Sequence, residues 1–353
     1  MNLKIHILDV KDGDAIIIEM IKEDKCLIMV IDGGQPRSYK DKVRPKLVEI
    51  LKIYNKKAPD IVVCTHYDSD HIGGLIPLIE EFISDISEVW IHKTPEAILG
   101  YIEESIQLKV SKTKHFYDFN HFPINRLFES YNSSDKQLLE IKASQLLESL
   151  PQLRRLIDII PSHKLRQVYH NEKPIKLWQE VTILGPTKNY FDSLFPPTKN
   201  LESFILEEAI EVIPSIRASF KTLYIAGINP CDQLKNEGQT SITSTNKASI
   251  IISIDIDSDR YLFTGDAGIE SFKNIPNYQE ELKNIFFLKV PHHASMNNIS
   301  REIIELMQPI YAYSSGNRHQ DEAVLFCISS KKRNKVVRST KDEGDLYFDK
   351  TKN

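Results

Sequence analysis

A chain of 353 residues that is 41% hydrophobic has enough apolar content for a sizeable core, which excludes a disordered polymer and leaves room for one large domain or two small ones. Its formal net charge of −4 gives no global electrostatic case for a nucleic-acid binder, so such a contact would rest on a local patch. No apolar run approaches the roughly twenty residues of a membrane helix, and the N-terminus opens on a strand pattern rather than a signal-peptide layout. The expectation is a soluble cytoplasmic protein with no membrane association.

The first elements are β-rich runs, Leu3 to Leu8 and Ala15 to Met20, separated by a stretch whose Asp12-Gly13 pair is a strong hairpin signal. Cys26 to Ile31 gives a third strand that ends at Asp32-Gly33-Gly34. Lys42 to Tyr54 carries Val43, Leu47, Ile50, Leu51 and Tyr54 at helical spacing. Cys26 and Cys64 sit in apolar runs and are expected as buried thiols. With Cys231 and Cys327 they form no C-x-x-C pair, and nothing suggests a disulfide framework or a zinc knuckle.

The most informative stretch is Thr65 to Gly74, THYDSDHIGG. The β-branched run Asp60 to Cys64 before it reads as a buried strand. Leu75, Ile76, Leu78, Ile79 and Phe82 after it read as one helix face. In an extended segment His66, Asp68 and Asp70 share a side, and the turn into the helix can bring His71 round to meet them. Four convergent N and O donors suit one or two divalent metals. The plainer reading is a polar strand end with Asp70 as a helix N-cap, which accounts for neither histidine and neither glycine.

H-x-D-x-D-H-x-G-G resembles the H-x-H-x-D-H metal motif of the metallo-β-lactamase superfamily. The aspartate at the third position is similar to the ComEC-like branch, the domain attached to the bacterial DNA-uptake channel. Asp9-Val10-Lys11-Asp12-Gly13-Asp14-Ala15 and Ile31-Asp32-Gly33-Gly34 resemble that branch's "DVGQGDA" and "IDGG" segments. Asp14 and Asp32 then have two open roles, bonding the ligand histidines from behind or simply making turns.

Further along, Val89-Trp90-Ile91 reads as a strand, and His92 as a satisfied surface histidine. Pro95 to Lys173 departs from a minimal domain, with helical patterns near Ala97–Val110 and Lys136–Ile160. Pro151 is expected to break or kink the second, and Leu138, Leu139, Leu146, Leu147, Leu150 and Leu153 form its stripe. His115, His121, His163 and His170 lack ligand spacing. Val181 to Pro186 restarts the β pattern, with Gly185 where many relatives carry a third ligand histidine. A helical segment about Asn200 to Val212 and a polar loop from Asn229 to Asn246 follow.

Asn246 to Ile256 and Arg260 to Phe263 read as a hairpin ending in Thr264-Gly265-Asp266, similar to the family's "N-x-x-S" strand and "TGD". Asp266 matches the metal-bridging aspartate. Leu288 to Ser295 resembles "LKVPHHGS", with Ala294 for glycine; His292 aligns with the last ligand, and His293 with a residue over substrate or supporting the ligands. Ile310 to Ser315 is a further strand, followed by His319 facing either substrate or solvent. Lys331 to Lys335 reads as a solvated turn, less plausibly a phosphate contact.

The resemblance covers about residues 3–92 and 246–348 and implies the metallo-β-lactamase αβ/βα sandwich with helical insertions: one α/β domain over residues 1–353, with inserts about 95–173 and 187–245. It implies His66, Asp68, Asp70, His71, Asp266 and His292 as ligands for one or two divalent ions, Zn²⁺ or Mn²⁺. Asp70, His293 and His319 are the catalytic candidates. A metal-activated water would attack a phosphodiester in a nucleic acid or nucleotide, making a nuclease or phosphodiesterase. The alternatives are a hydrolase of a lactone, lactam or thioester, and a non-catalytic module with a degenerate site that binds a protein partner in a defence or repair system. The insert at 95–173 is expected to lie beside the site and select its substrate.

Overall fold

The computed structural model describes residues 1–95, 98, 124–131, 133–210, 229–234 and 242–352. The first three strands, β1 (Asn2–Ile7), β2 (Ile16–Lys22) and β3 (Lys25–Ile31), form an antiparallel meander. The tight turn of this meander is at Glu23-Asp24, where Lys22 pairs with Lys25 and Glu23 has φ +57°. The Asp12-Gly13 pair sits instead in the longer loop joining β1 to β2. Next come β4 (Ile61–Val63), β5 (Glu88–Trp90) and β6 (Leu165–Arg166), added in parallel. The second sheet comprises β7 (Val181–Gly185), β8 (Ile251–Ile256), β9 (Asp259–Phe263), β10 (Phe287–Lys289), β11 (Tyr311–Ser314) and β12 (Val336–Ser339). The last strand, β13 (Leu346–Asp349), returns to pair with β1, giving sheet orders β13-β1-β2-β3-β4-β5-β6 and β12-β11-β10-β9-β8-β7.

Side-chain alternation makes each sheet apolar on both faces. Ile16, Ile18, Met20, Met29 and Ile31 meet Ile252, Ile254, Tyr261, Phe263 and Phe287 between the sheets. Ile17, Ile28, Val30 and Val62 face the opposite way, under Leu47 and Ile50 of the helix Arg44–Ile53 and Leu75, Leu78 and Ile79 of Leu75–Phe82. On the far side of the second sheet, Leu262, Leu288 and Ala312 pack under Phe272, Ile303, Met307 and Val324. Helix, sheet, sheet, helix is the layer order.

The helix Ser133–Ile159 runs on through Pro151 rather than ending there. Its Leu139, Leu147, Leu150 and Leu153 join the cluster under the first sheet, together with Leu201, Phe204 and Ile205 of Leu201–Ile210. Leu138 lies only partly buried. Most of the expected helix near 97–110, with His115 and His121, falls outside the described residues. Asn246 belongs to a helical turn, Ser244–Lys247, not to the following strand. His92 is buried rather than on the surface, its Nε2 2.7 Å from the Val168 carbonyl oxygen. Cys231 and Cys327 form a disulfide across 96 residues of sequence, which correct spacing rules did not anticipate because the partners meet only through the fold. Cys64 is a buried free thiol and Cys26 a half-buried one.

Candidate metal centre

The expected site residues lie in the loops and turns that follow the C-terminal ends of β4, β9, β10 and β11. At the end of β3, Asp32 takes φ +57°, which aspartate tolerates better than most residues. Its Oδ1 accepts from the Thr65 backbone N–H at 2.8 Å and its Oδ2 from the Thr65 hydroxyl at 2.6 Å. His71 Nδ1 lies 2.8 Å from the same Oδ2. Gly33 and Gly74 let the two loops touch: a Cβ on Gly74 would stand 1.9 Å from the Gly33 carbonyl oxygen. That contact clamps the turn Ser69–Ile72, which carries Asp70 and His71, against the Asp32 loop.

Asp266 follows β9 and is 2% exposed. Its backbone N–H donates to Ser249 Oγ, and its carbonyl accepts from Asn298 Nδ2 at 2.7 Å. Asn298 Oδ1 also sits 2.8 Å from His292 Nδ1. After β10 the turn Pro291–Ala294 puts His292, His293 and Ala294 at φ +43°, +57° and +69°. Three consecutive side-chain-bearing residues in the left-handed region cost about 1–3 kcal/mol each, a strain that aims both rings at Asp266.

The result is a ring of imidazoles about one carboxylate oxygen. From Asp266 Oδ2, His71 Nε2 is 3.4 Å away, His292 Nε2 3.5 Å, His66 Nε2 3.6 Å and His293 Nε2 4.0 Å. His293 Nε2 also lies 3.8 Å from Asp70 Oδ2. All exceed an ordinary N–H···O bond. Among the described residues, His66 Nε2, His71 Nε2, His293 Nε2 and Asp266 Oδ1 are buried with no hydrogen-bond partner. Each such atom costs about 1–3 kcal/mol when left alone, and divalent cations satisfy all four together. The residues present therefore fit the implied metals. Four donor groups overlap here: His66, His71 and Asp266; Asp70, His71 and His293; Asp266, His292 and His293; Asp14, Asp32 and His71.

Electrostatics follow from this crowding. Burial pushes the Asp266 carboxyl up, and His71, His292, His293 and His66 outweigh it, holding the group well below the carboxylate range. Burial disfavours charge on His71, yet Asp266 and Asp32 hold it well above its usual value. For His293 burial is likewise outweighed, by Asp266, Asp14 and Asp70, and the ring is pushed up to about 9. His292 goes the other way because burial dominates.

Of the expected ligands, His66, Asp70, His71, Asp266 and His292 fall within these groups. Asp68 does not. It occupies the cap position before Ser69–Ile72, and its Oδ1 accepts from Thr245 Oγ1 at 3.4 Å. His293, read from sequence as lying over substrate or supporting the ligands, belongs to two of the groups. His319 stands at the exposed side, its ring 4.8 Å from that of His292. Among the described residues no middle-region histidine joins; His170 Nδ1 is 2.8 Å from the Leu184 carbonyl oxygen, beside Gly185. A cavity of about 600 Å³ against β1 and the helix Arg44–Ile53 includes none of these residues. Asn298 lies outside the sequence motifs, and Thr65 and Lys289, inside them, carried no assigned role. A lysine inside an otherwise apolar buried strand was the one available signal.

Residues 8–112 match the profile of the family described as Metallo-beta-lactamase superfamily. The fold is the metallo-β-lactamase fold. The matched stretch holds Asp14, Asp32 and the Thr65–Gly74 motif and ends before Asp266, His292 and His293. The metallo-beta-lactamase fold protein YhfI from Bacillus subtilis is similar at 10% identity, covering 98% of this chain and 99% of its own, with a TM-score of 0.42. A diphosphatase from the PhnP family is similar at 10% identity, covering 99% of each chain, with a TM-score of 0.40. Neither likeness bears on activity. No curated protein matches the chain. Among the described residues no helix is long and apolar enough to cross a membrane.

Proposed function

We propose that this chain is a metal-dependent hydrolase of phosphodiesters, acting on a nucleic acid or a nucleotide. The observation that carries the reading is the gathering of the buried, unpartnered ring nitrogens of His66, His71 and His293 within 4.0 Å of the Asp266 carboxylate. Asp70, His71 and His293 would hold one ion, and His66 with Asp266 a second, His292 closing the set. Bound divalent ions supply Lewis acidity and neutralise charge on substrate oxygens. The chain's own part is positional. Asp32, Asn298 and Ser315 hold ring nitrogens from behind, so the other nitrogens face inward. His319, at the exposed side, is assigned to the substrate's developing charge. The phosphodiester class is supported by the motif order Asp9–Ala15, Thr65–Gly74, Thr264–Asp266 and Leu288–Ser295, which resembles the ComEC-like branch.

The test is to strip the protein with a chelator and reload it with Mn²⁺ or Zn²⁺. Turnover is then measured on bis(4-nitrophenyl) phosphate, single-stranded oligonucleotides and cyclic dinucleotides beside a lactone, a lactam and a thioester. Metal-restored phosphodiester cleavage is expected; turnover confined to the carbonyl substrates overturns the substrate class. A second reading, a non-catalytic module with a degenerate site that engages a protein partner, is favoured by Asp68 turning to Thr245. It predicts a folded protein that is isolated free of metal and is inert on every substrate.

A further inference from the structure

Strand β10 runs between β9 and β11 in the second sheet. Phe287 faces the layer between the sheets and Leu288 the outer helices. By alternation Lys289 also points between the sheets, and it is fully buried. A lysine here costs several kcal/mol unless it is paired, and an apolar side chain of similar volume would serve a core position better. Its presence asks for a reason other than stability.

Lys289 Nζ donates to Asp14 Oδ2 at 2.7 Å and to the Val290 carbonyl at 3.1 Å. Asp14, 1% exposed, belongs to the loop between β1 and β2, so the pair staples the two sheets across 275 residues of sequence. The other oxygen of Asp14, Oδ1, accepts from the Ser315 hydroxyl and lies 3.4 Å from His293 Nδ1. The Ser315 carbonyl is 3.1 Å from the same nitrogen. A carbonyl only accepts, so His293 carries a proton on Nδ1 and presents Nε2 to Asp70 and Asp266. Gly316, at φ +79°, leaves the ring its space; a Cβ there would stand 2.5 Å from His293 Nδ1.

We infer that Asp14, held by Lys289 and Ser315, is a positioning residue that fixes the ring orientation of His293 toward the metal centre. Lys289 serves to keep Asp14 ionised and immobile in a buried place. The inference rests on the reading of His293 as a metal donor. A carboxylate behind a metal-binding imidazole raises its basicity and fixes its orientation, and removing such a partner typically lowers metal affinity about 10–100-fold.

The experiment compares the parent with Asp14→Leu/Lys289→Met, which removes both buried charges together. Lys289→Met alone would strand Asp14 and unfold the protein for a trivial reason. Zn²⁺ and Mn²⁺ affinities are measured by competition with a chromophoric chelator, and the His293 Nδ1 proton is followed by NMR in the metal-free proteins. The double variant is expected to fold, to bind metal about 10–100-fold more weakly, and to exchange that proton several-fold faster, the Ser315 carbonyl alone no longer fixing the ring. Its hydrolysis should fall in kcat more than in KM. A double variant with parental affinity and a protected His293 proton overturns the inference. Should it not fold, Ser315→Ala, which keeps both charges, decides: unchanged affinity and proton exchange overturn the inference, and a several-fold loss with faster exchange supports it. If the parent takes up no divalent metal, the proposed hydrolase fails, while proton exchange in the metal-free protein still decides the role of Asp14.

Discussion

His71 and Asp32 are joined by a 2.8 Å contact between Nδ1 and Oδ2, both side chains fully buried. The bond leaves His71 Nε2 as the only ring nitrogen that can serve Asp266, 3.4 Å away on the other sheet. Asp32→Ala removes the acceptor for Thr65 as well as for His71. Metal affinity should fall about 10–100-fold, and stability by about 1–3 kcal/mol from the stranded Thr65 N–H. Chelator competition and urea unfolding check the two effects separately.

Gly74→Ala places a methyl 1.9 Å from the Gly33 carbonyl oxygen, a backbone atom that moves only with the Asp32 loop. The expected cost is about 1–3 kcal/mol, with metal affinity falling alongside stability. A variant that melts like the parent and binds metal normally would show that the two loops are not clamped.

Glu19 gives a pH dependence away from the centre. Burial pushes its carboxyl up, but bonds with His6 and Tyr54, and Lys4 nearby, outweigh burial and hold it at about 2, against 4.5 ordinarily. The folded-state value is the lower one, so the unfolded chain takes the proton first. The stabilisation is complete above about pH 4.5 and is lost as pH falls towards 2. Glu19→Gln should lower stability at neutral pH and flatten the acid limb of unfolding free energy against pH. An identical acid limb in parent and variant would remove Glu19 as its source.

Gln152 links the insertion to the metal motif, its Oε1 accepting from Ser69 Oγ at 3.1 Å. Gln152→Ala should fold normally and shift relative rates between oligonucleotide and bis(4-nitrophenyl) phosphate several-fold. Equal ratios would separate the helix Ser133–Ile159 from substrate choice. Replacing the whole insertion with a linker is a poorer test, because Leu139, Leu147, Leu150 and Leu153 belong to the core under the first sheet.

The Cys231–Cys327 bond closes a loop spanning 96 residues of sequence. A loop near that length contributes about 4–5 kcal/mol in the chain-entropy view. Reduction should lower the melting temperature measurably. Thiol titration of the denatured protein should count two free thiols before reduction and four after it.

The layers were legible in the sequence because they follow local rules. Strand periods at Ile16–Met20 and Ile252–Ile256 set which residues face between the sheets, and polar clusters at strand ends mark the site. What escaped notice depends on distant pairings. The disulfide joins a short helical turn to a helix near the C-terminus. The preference for His292 over His293 came from alignment alone; the left-handed turn from His292 to Ala294 brings both rings to Asp266, and no spacing rule foresees three such residues in a row. Asp68 shares the motif's spacing and precedes the turn Ser69–Ile72, its Oδ1 accepting from Thr245 Oγ1 at 3.4 Å. Pro151 was expected to break or kink its helix; the helix continues through it, and leucines on either side bury together.

The staple between Asp14 and Lys289 also fixes an order of events during synthesis. When β1 to β6 have left the ribosome, the chain already holds Asp32, His66, Asp70 and His71, while Asp266 and His293 have not been made. Asp14 then has no lysine to meet. The strand β13, which completes the first sheet beside β1, arrives last of all. The centre therefore cannot close until almost the whole chain is available, and contacts of such long range form slowly. A nascent chain or a premature truncation keeps the leading half of the motif without the oxygen around which the four imidazoles gather, so assembly of this cluster belongs to the final stage of folding.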